Sequence, residues 1–95
     1  MEETVSIESV MPIVRPPKGA AGYMKKYFEN SKLSANQAAK KLGVSQPTVS
    51  RFINGGALTP AMAAKIEIAF GINVETLFNL EAQANAYRAK QLMSA

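Results

Sequence analysis

The stretch SANQAAKKLGVSQPTVSRFING, residues 34–55, decides the fold. Its first half reads as a helix over Ala35–Leu42. Ser34 is a good N-cap, because its hydroxyl accepts a backbone N–H, and Gln37 three residues on completes a capping-box pattern. Gly43 ends that helix, since glycine takes up the left-handed backbone that a tight helix exit needs. Val44 is an apolar residue in the turn, placed to pack between the flanking helices. Ser45 starts a second helix, which runs to Asn54 and stops at Gly55. Pro47 is tolerated in a first helical turn but biases Gln46 away from helical backbone, which leaves the cap free to slip by one residue.

Two short helices across a glycine-containing turn of this length form a helix-turn-helix, whose second helix lies in the DNA major groove. The N-terminal turn of that helix reads base edges. Gln46 can present its amide to adenine N6 and N7, and Thr48 can touch a thymine methyl or donate to a base. Arg51, one turn further, can fork onto guanine O6 and N7 or grip a phosphate. Small polar side chains, lysines and helix N-termini hold the DNA backbone. That makes Ser34, Ser45, Ser50, Asn54, Lys40 and Lys41 candidates for phosphate contact. Against this stand blander roles: Ser34 and Ser45 already cap helices, and a Lys-Lys pair commonly marks a solvated face.

Gln37, Ala39, Gly43, Val44, Ser45, Val49, Ser50 and Gly55 fit the pattern Q-x-A-x-x-x-G-V-S-x-x-x-V-S-x-x-x-x-G. In this the chain resembles the Cro/C1-type (XRE-like) helix-turn-helix family. The continuation through Leu58-Thr59-Pro60, Phe70-Gly71 and Leu77-Phe78-Asn79-Leu80 is similar to the HigA-type antitoxins of that family. The resemblance covers residues 23–83. It departs at Gly19-Ala20-Ala21-Gly22, where those antitoxins begin a helix with H-P-G-E, and at Leu77, where they often carry tryptophan. It implies a lambda-repressor-like DNA-binding domain with Gln46, Pro47, Thr48 and Arg51 at the base-facing positions. A glutamine near the start of helix two anchors a phosphate in many relatives. Ala35 stands there in this chain, which leaves that anchor absent or passed to Asn36 or Gln37. The resemblance also implies a cognate mRNA-cleaving toxin and repression of the chain's own operon.

Ninety-five residues, 47% of them apolar, make one small domain with a modest core. There is no cysteine, histidine or aspartate. The usual metal ligands and nucleophile–base pairs are therefore missing, and an enzyme, a metal site or a cofactor is not expected. No apolar run approaches a membrane span and the N-terminus is acidic rather than signal-like, so a cytoplasmic protein without membrane contact is expected. Charge is unevenly placed. Residues 1–14 carry three glutamates and no base, and residues 66–95 carry three glutamates against Arg88 and Lys90. Residues 15–65 hold nine lysines and arginines against Glu29 alone. A basic segment enclosing the whole motif is the footprint of phosphate binding.

Residues 1–18 contain three prolines and no helical period, and read as a flexible arm. The β-branched residues within 5–14 make it the one candidate for extended structure, either as a plain tail or as an arm that pairs with a partner or second subunit. Residues 19–95 read as the helix-turn-helix domain with a C-terminal helical extension. Its first helix spans 20–30 with Tyr23, Met24, Tyr27 and Phe28 on one stripe. Thr59-Pro60 opens a fourth helix with cap and N1 proline, Met62, Ala63, Ile66 and Phe70 form its stripe, and Gly71 ends it. Asn73 caps a fifth. The fold class is all-α, with five helices and the motif at helices two and three.

The leading function is a homodimeric, sequence-specific repressor that reads a palindromic double-stranded operator. The fifth helix carries the unassigned apolar surface, so the dimer contact is expected over Val74, Leu77, Phe78, Leu80, Ala84 and Tyr87, unless that helix simply caps its own core. A stand-alone or phage-type repressor without a toxin would show the same motif. A protein-interaction module that has lost DNA binding is disfavoured by the basic segment.

Overall fold

The computed structural model describes residues 17–94. Five helices follow one another: α1 Gly19–Asn30, α2 Ala35–Leu42, α3 Gln46–Ile53, α4 Pro60–Phe70 and α5 Val74–Ser94. No strand occurs among the described residues. This is the five-helix, all-α fold read from the sequence. The arm expected at residues 1–18, with its extended segment, lies outside the described residues except for Pro17 and Lys18.

The boundaries arise from local chemistry. Ser34 Oγ accepts the Gln37 N–H at 3.1 Å, and Gln37 Oε1 accepts the Ser34 N–H at 2.9 Å. Gly43 closes α2 at φ 73°. Ser45 is the N-cap of α3, and Gln46 and Pro47 are its first two residues. The cap does not slip, because Ser45 Oγ satisfies the Thr48 N–H at 3.3 Å. That bond outweighs the steric bias of Pro47 on its neighbour. Thr59 Oγ1 accepts the Met62 N–H at 3.1 Å to open α4. At the α4–α5 corner, Asn73 Oδ1 accepts N–H groups of Glu75 and Thr76, and Glu67 Oε1 takes that of Val74 at 2.9 Å.

The core is apolar throughout among the described residues: no polar or charged residue is buried. Met24 and Phe28 of α1, Leu42 of α2, Val49 and Phe52 of α3, Ile66 of α4 and Leu77 of α5 fill its centre. Ala20, Ala38, Ala39 and Ala63 are buried between them, and their small side chains let neighbouring helices approach closely. Val44 packs against this core from the turn, as its position suggests. Tyr27, Phe28 and Phe70 meet at centroid distances of 5.5–6.2 Å and join α1 to α4. Tyr23 departs from expectation and is 42% exposed. The buried line of α1 runs through Met24 and Phe28, four residues apart, and Tyr23 sits at its margin.

The most extensive contact between helices joins α1 to α5, elements distant in sequence. Lys18, at the N-cap of α1, makes no side-chain capping bond, and the first turn holds no acidic residue. Glu81 of α5 supplies both. Its Oε1 accepts the Ala20 N–H at 3.3 Å, and its Oε2 accepts the Leu58 N–H in the loop after α3 at 3.2 Å. Gly19 makes room for this: a Cβ there would lie 2.9 Å from Glu81 Oε1, on a backbone with φ of 74°.

Candidate nucleic-acid interface

The structure places α3 with Val49 and Phe52 in the core and Ile53 half-buried. The opposite face is open. Gln46, Pro47, Arg51 and Asn54 are exposed, and Thr48 and Ser50 are half-buried at the rim. All four residues expected to face bases therefore share one accessible surface at the N-terminal part of α3.

These side chains hold one another. Ser45 Oγ lies 2.7 Å from Thr48 Oγ1, and Arg51 Nη2 donates to Thr48 Oγ1 at 3.5 Å. Gln46 Nε2 donates to Ser50 Oγ at 2.8 Å. The consequences follow from counting donors and acceptors. Gln46 keeps its Oε1 and one N–H, the pair that a bidentate contact with adenine requires. Arg51 keeps at least four of its five N–H groups. The Thr48 hydroxyl is engaged on two sides, which favours its methyl as the part available to a base. Polar side chains fixed by neighbours lose less freedom on binding than free ones.

The residues expected to hold phosphates divide. Ser34 and Gln37 bond to each other in the capping box, and Ser45 caps α3. Asn36, Lys40 and Lys41 are exposed on α2, with Asn36 and Lys40 four residues apart on one face. Lys40 and Lys41 also sit in the last turn of α2, where positive charge complements the helix dipole. Asn54 and Gly55, at the exit of α3, line a cleft of about 300 Å³ together with Lys18 and Lys25 of α1. Those two lysines were counted in the basic segment but not among the site residues. No local pattern marks them, because α1 reaches the end of α3 only through tertiary packing.

The expected dimer residues divide too. Leu77 and Ala84 are fully buried within this chain and have no surface left for a second one. They lie seven residues apart, two helical turns, on the side of α5 that faces the core. Val74, Leu80 and Tyr87 are half-buried, and Phe78 is 38% exposed.

The helix-turn-helix family model matches residues 24–77, more than half the sequence. The chain belongs to the helix-turn-helix family. That match covers most of α1, all of α2 to α4, and the start of α5. A solved structure of an addiction module antidote protein of a HigA family from Coxiella burnetii is similar over 85% of this chain and 89% of its own. The identity is 25% and the TM-score 0.74. The antitoxin GraA is similar over 85% and 88% respectively, at 24% identity and a TM-score of 0.74, a likeness of fold. No curated protein matches the chain. Among the described residues no helix is long and apolar enough to cross a membrane.

Proposed function

We propose that this protein is a homodimeric transcriptional repressor that inserts α3 into successive major grooves of a palindromic operator. The observation that carries this reading is the open face of α3, where Ser50 holds Gln46, Ser45 holds Thr48, and Thr48 in turn holds Arg51. Lys18 and Lys25, beside Asn54 at the end of the same helix, add phosphate contacts at the flank. The similarity to the antidote protein of the HigA family supports a further role: antitoxin of a two-component module, binding an mRNA-cleaving toxin and repressing the operon that encodes both.

The test is fluorescence anisotropy with the DNA upstream of the gene, beside a scrambled duplex of equal length. Tighter binding to the upstream sequence is the expected result. Arg51→Ala is expected to remove about 1–3 kcal/mol of that preference if the guanidinium reads a base. Equal and weak binding to both duplexes would overturn the repressor reading. The toxin is tested separately, by co-purification with the product of the neighbouring reading frame. A neighbouring frame that is not a short, basic, RNase-like protein would leave a stand-alone repressor.

A further inference from the structure

A groove of about 610 Å³ lies between α1 and the first half of α5. Gly19 and Gly22 bring no side chain to it, and the stem of Lys18 lies against Gly22, in the space a Cβ would need. Tyr23 and Leu80 also line the groove, the first exposed and the second half-buried. An aromatic ring and an aliphatic side chain are thus open to an occupant. Lys18, Lys25 and Lys26 surround them against Glu29 alone. Apolar surface ringed by lysines suits a peptide that carries both apolar and acidic side chains, the first removed from water and the second paired at the rim.

We propose that the occupant is the chain's own N-terminal segment, residues 2–14, and that it competes there with DNA. Residues 1–16 lie outside the described residues and join the domain through Pro17, which itself lines the groove. The segment is therefore tethered at the groove's edge. A short tether holds it at an effective concentration of about millimolar, so weak contacts suffice to fill the groove. Its reach is ample. The stretch from Glu8 to Pro17 spans up to about 30 Å when extended, whereas Lys18 to Lys26 covers about 12 Å of helix. Its composition matches the groove. Glu2, Glu3 and Glu8 are its charged side chains, and Val5, Ile7, Val10, Met11, Ile13 and Val14 its large apolar ones. The lysines serve two surfaces. Lys18 and Lys25 also line the cleft at the exit of α3, beside Asn54. A glutamate seated on either removes a cation that a phosphate would otherwise take. The docked segment thereby lowers DNA affinity without touching α3. The docking stands on the groove; its effect on DNA rests on the repressor reading.

The chain has no cysteine, so a nitroxide on Ser9→Cys reports one position. In the full-length protein at low salt, the label is expected to broaden the amide signals of Gly22, Tyr23 and Gln83 strongly and that of Gln37, on α2, little. Weak broadening spread evenly over the domain would overturn the docking. Broadening that appears in isotope-labelled chains without a nitroxide, mixed with nitroxide-bearing ones, would overturn it in favour of a second copy's segment. Two full-length variants then read the competition by anisotropy on the upstream and scrambled duplexes. Glu2→Gln, Glu3→Gln and Glu8→Gln combined should tighten binding to both by about three- to tenfold at low salt. The gap should close at high salt, where exposed charges are screened. Val10→Ser with Ile13→Ser keeps the net charge but removes apolar anchors, and should also tighten both. A gain in the glutamine variant alone would reduce the effect to overall charge and overturn the competition. Unchanged affinity in both variants would overturn it too, while a retained preference for the upstream duplex leaves the repressor standing. Broadening confined to the groove in a protein that binds neither duplex would uphold the docking and overturn the repressor reading instead.

Discussion

At the scale of single residues, backbone conformation sets clear demands. Gly43 takes φ of 73° in the turn between α2 and α3, and a Cβ there would meet nothing within 4 Å. Any cost of a side chain at this position is conformational, and Gly43→Ala is expected to lower stability by about 1 kcal/mol. The turn before α2 makes the converse demand. Lys32 holds φ of 59° without being glycine. Lys32→Gly relieves that strain, is partly offset by a freer unfolded chain, and should raise stability by a few tenths to about 1 kcal/mol. Shifts of the urea midpoint in opposite directions, at constant slope, are the expected outcome. The caps at Ser34, Ser45 and Thr59 are legible from sequence for the same local reason. Each side chain bonds a backbone N–H three residues away, so no distant contact decides it.

At the scale of elements, the long-range carboxylate of Glu81 matters most. It binds the start of α1, sixty-one residues away, and the loop that leaves α3, twenty-three residues away. Nothing in the local sequence announces this; Glu81 reads as one more charge on an exposed helix. Glu81→Ala leaves two N–H groups without their acceptor and is expected to cost about 1–3 kcal/mol. Amide exchange at Leu58 and Ala20 should accelerate in the variant more than at the Gln37 amide, whose cap is local. Glu81→Gln keeps one acceptor oxygen and should fall between. The orientation of α5 belongs to this scale as well. Leu77 and Ala84 were expected at the dimer contact with Val74, Phe78, Leu80 and Tyr87, and nothing in the sequence marked which face of α5 meets the core. Packing against α1 and α4 turned that pair inward, and left the alanine face outside.

At the scale of the whole molecule, the basic middle segment becomes one surface feature through folding. Lys18, the N-cap of α1, and Lys25 within it stand beside Asn54 at the end of α3, although 36 and 29 positions separate them from it in sequence. DNA binding is therefore expected to weaken steeply with salt, as released counterions are no longer favoured. Lys25→Ala should weaken binding to operator and scrambled duplex alike, and lower the salt slope by about 1. Arg51→Ala should instead act chiefly on the operator. Anisotropy titrations at several salt concentrations separate the two effects.

What the sequence alone determined is whatever depends on neighbours within about one helical turn. That includes the five helices, the caps of α2 to α5, the three-residue turn and the polar side chains gathered at the start of α3, because backbone conformation and capping are short-range physics. The tertiary structure decided which face of each helix is spent on the core. It withdrew Leu77 and Ala84 from any interface, exposed Tyr23 and Phe78, brought two α1 lysines to the flank of α3, and set Glu81 as a clip between three elements. Those outcomes depend on how helices distant in the chain lie against one another. A single amphipathic pattern does not encode that arrangement, since several packings bury the same stripe equally well.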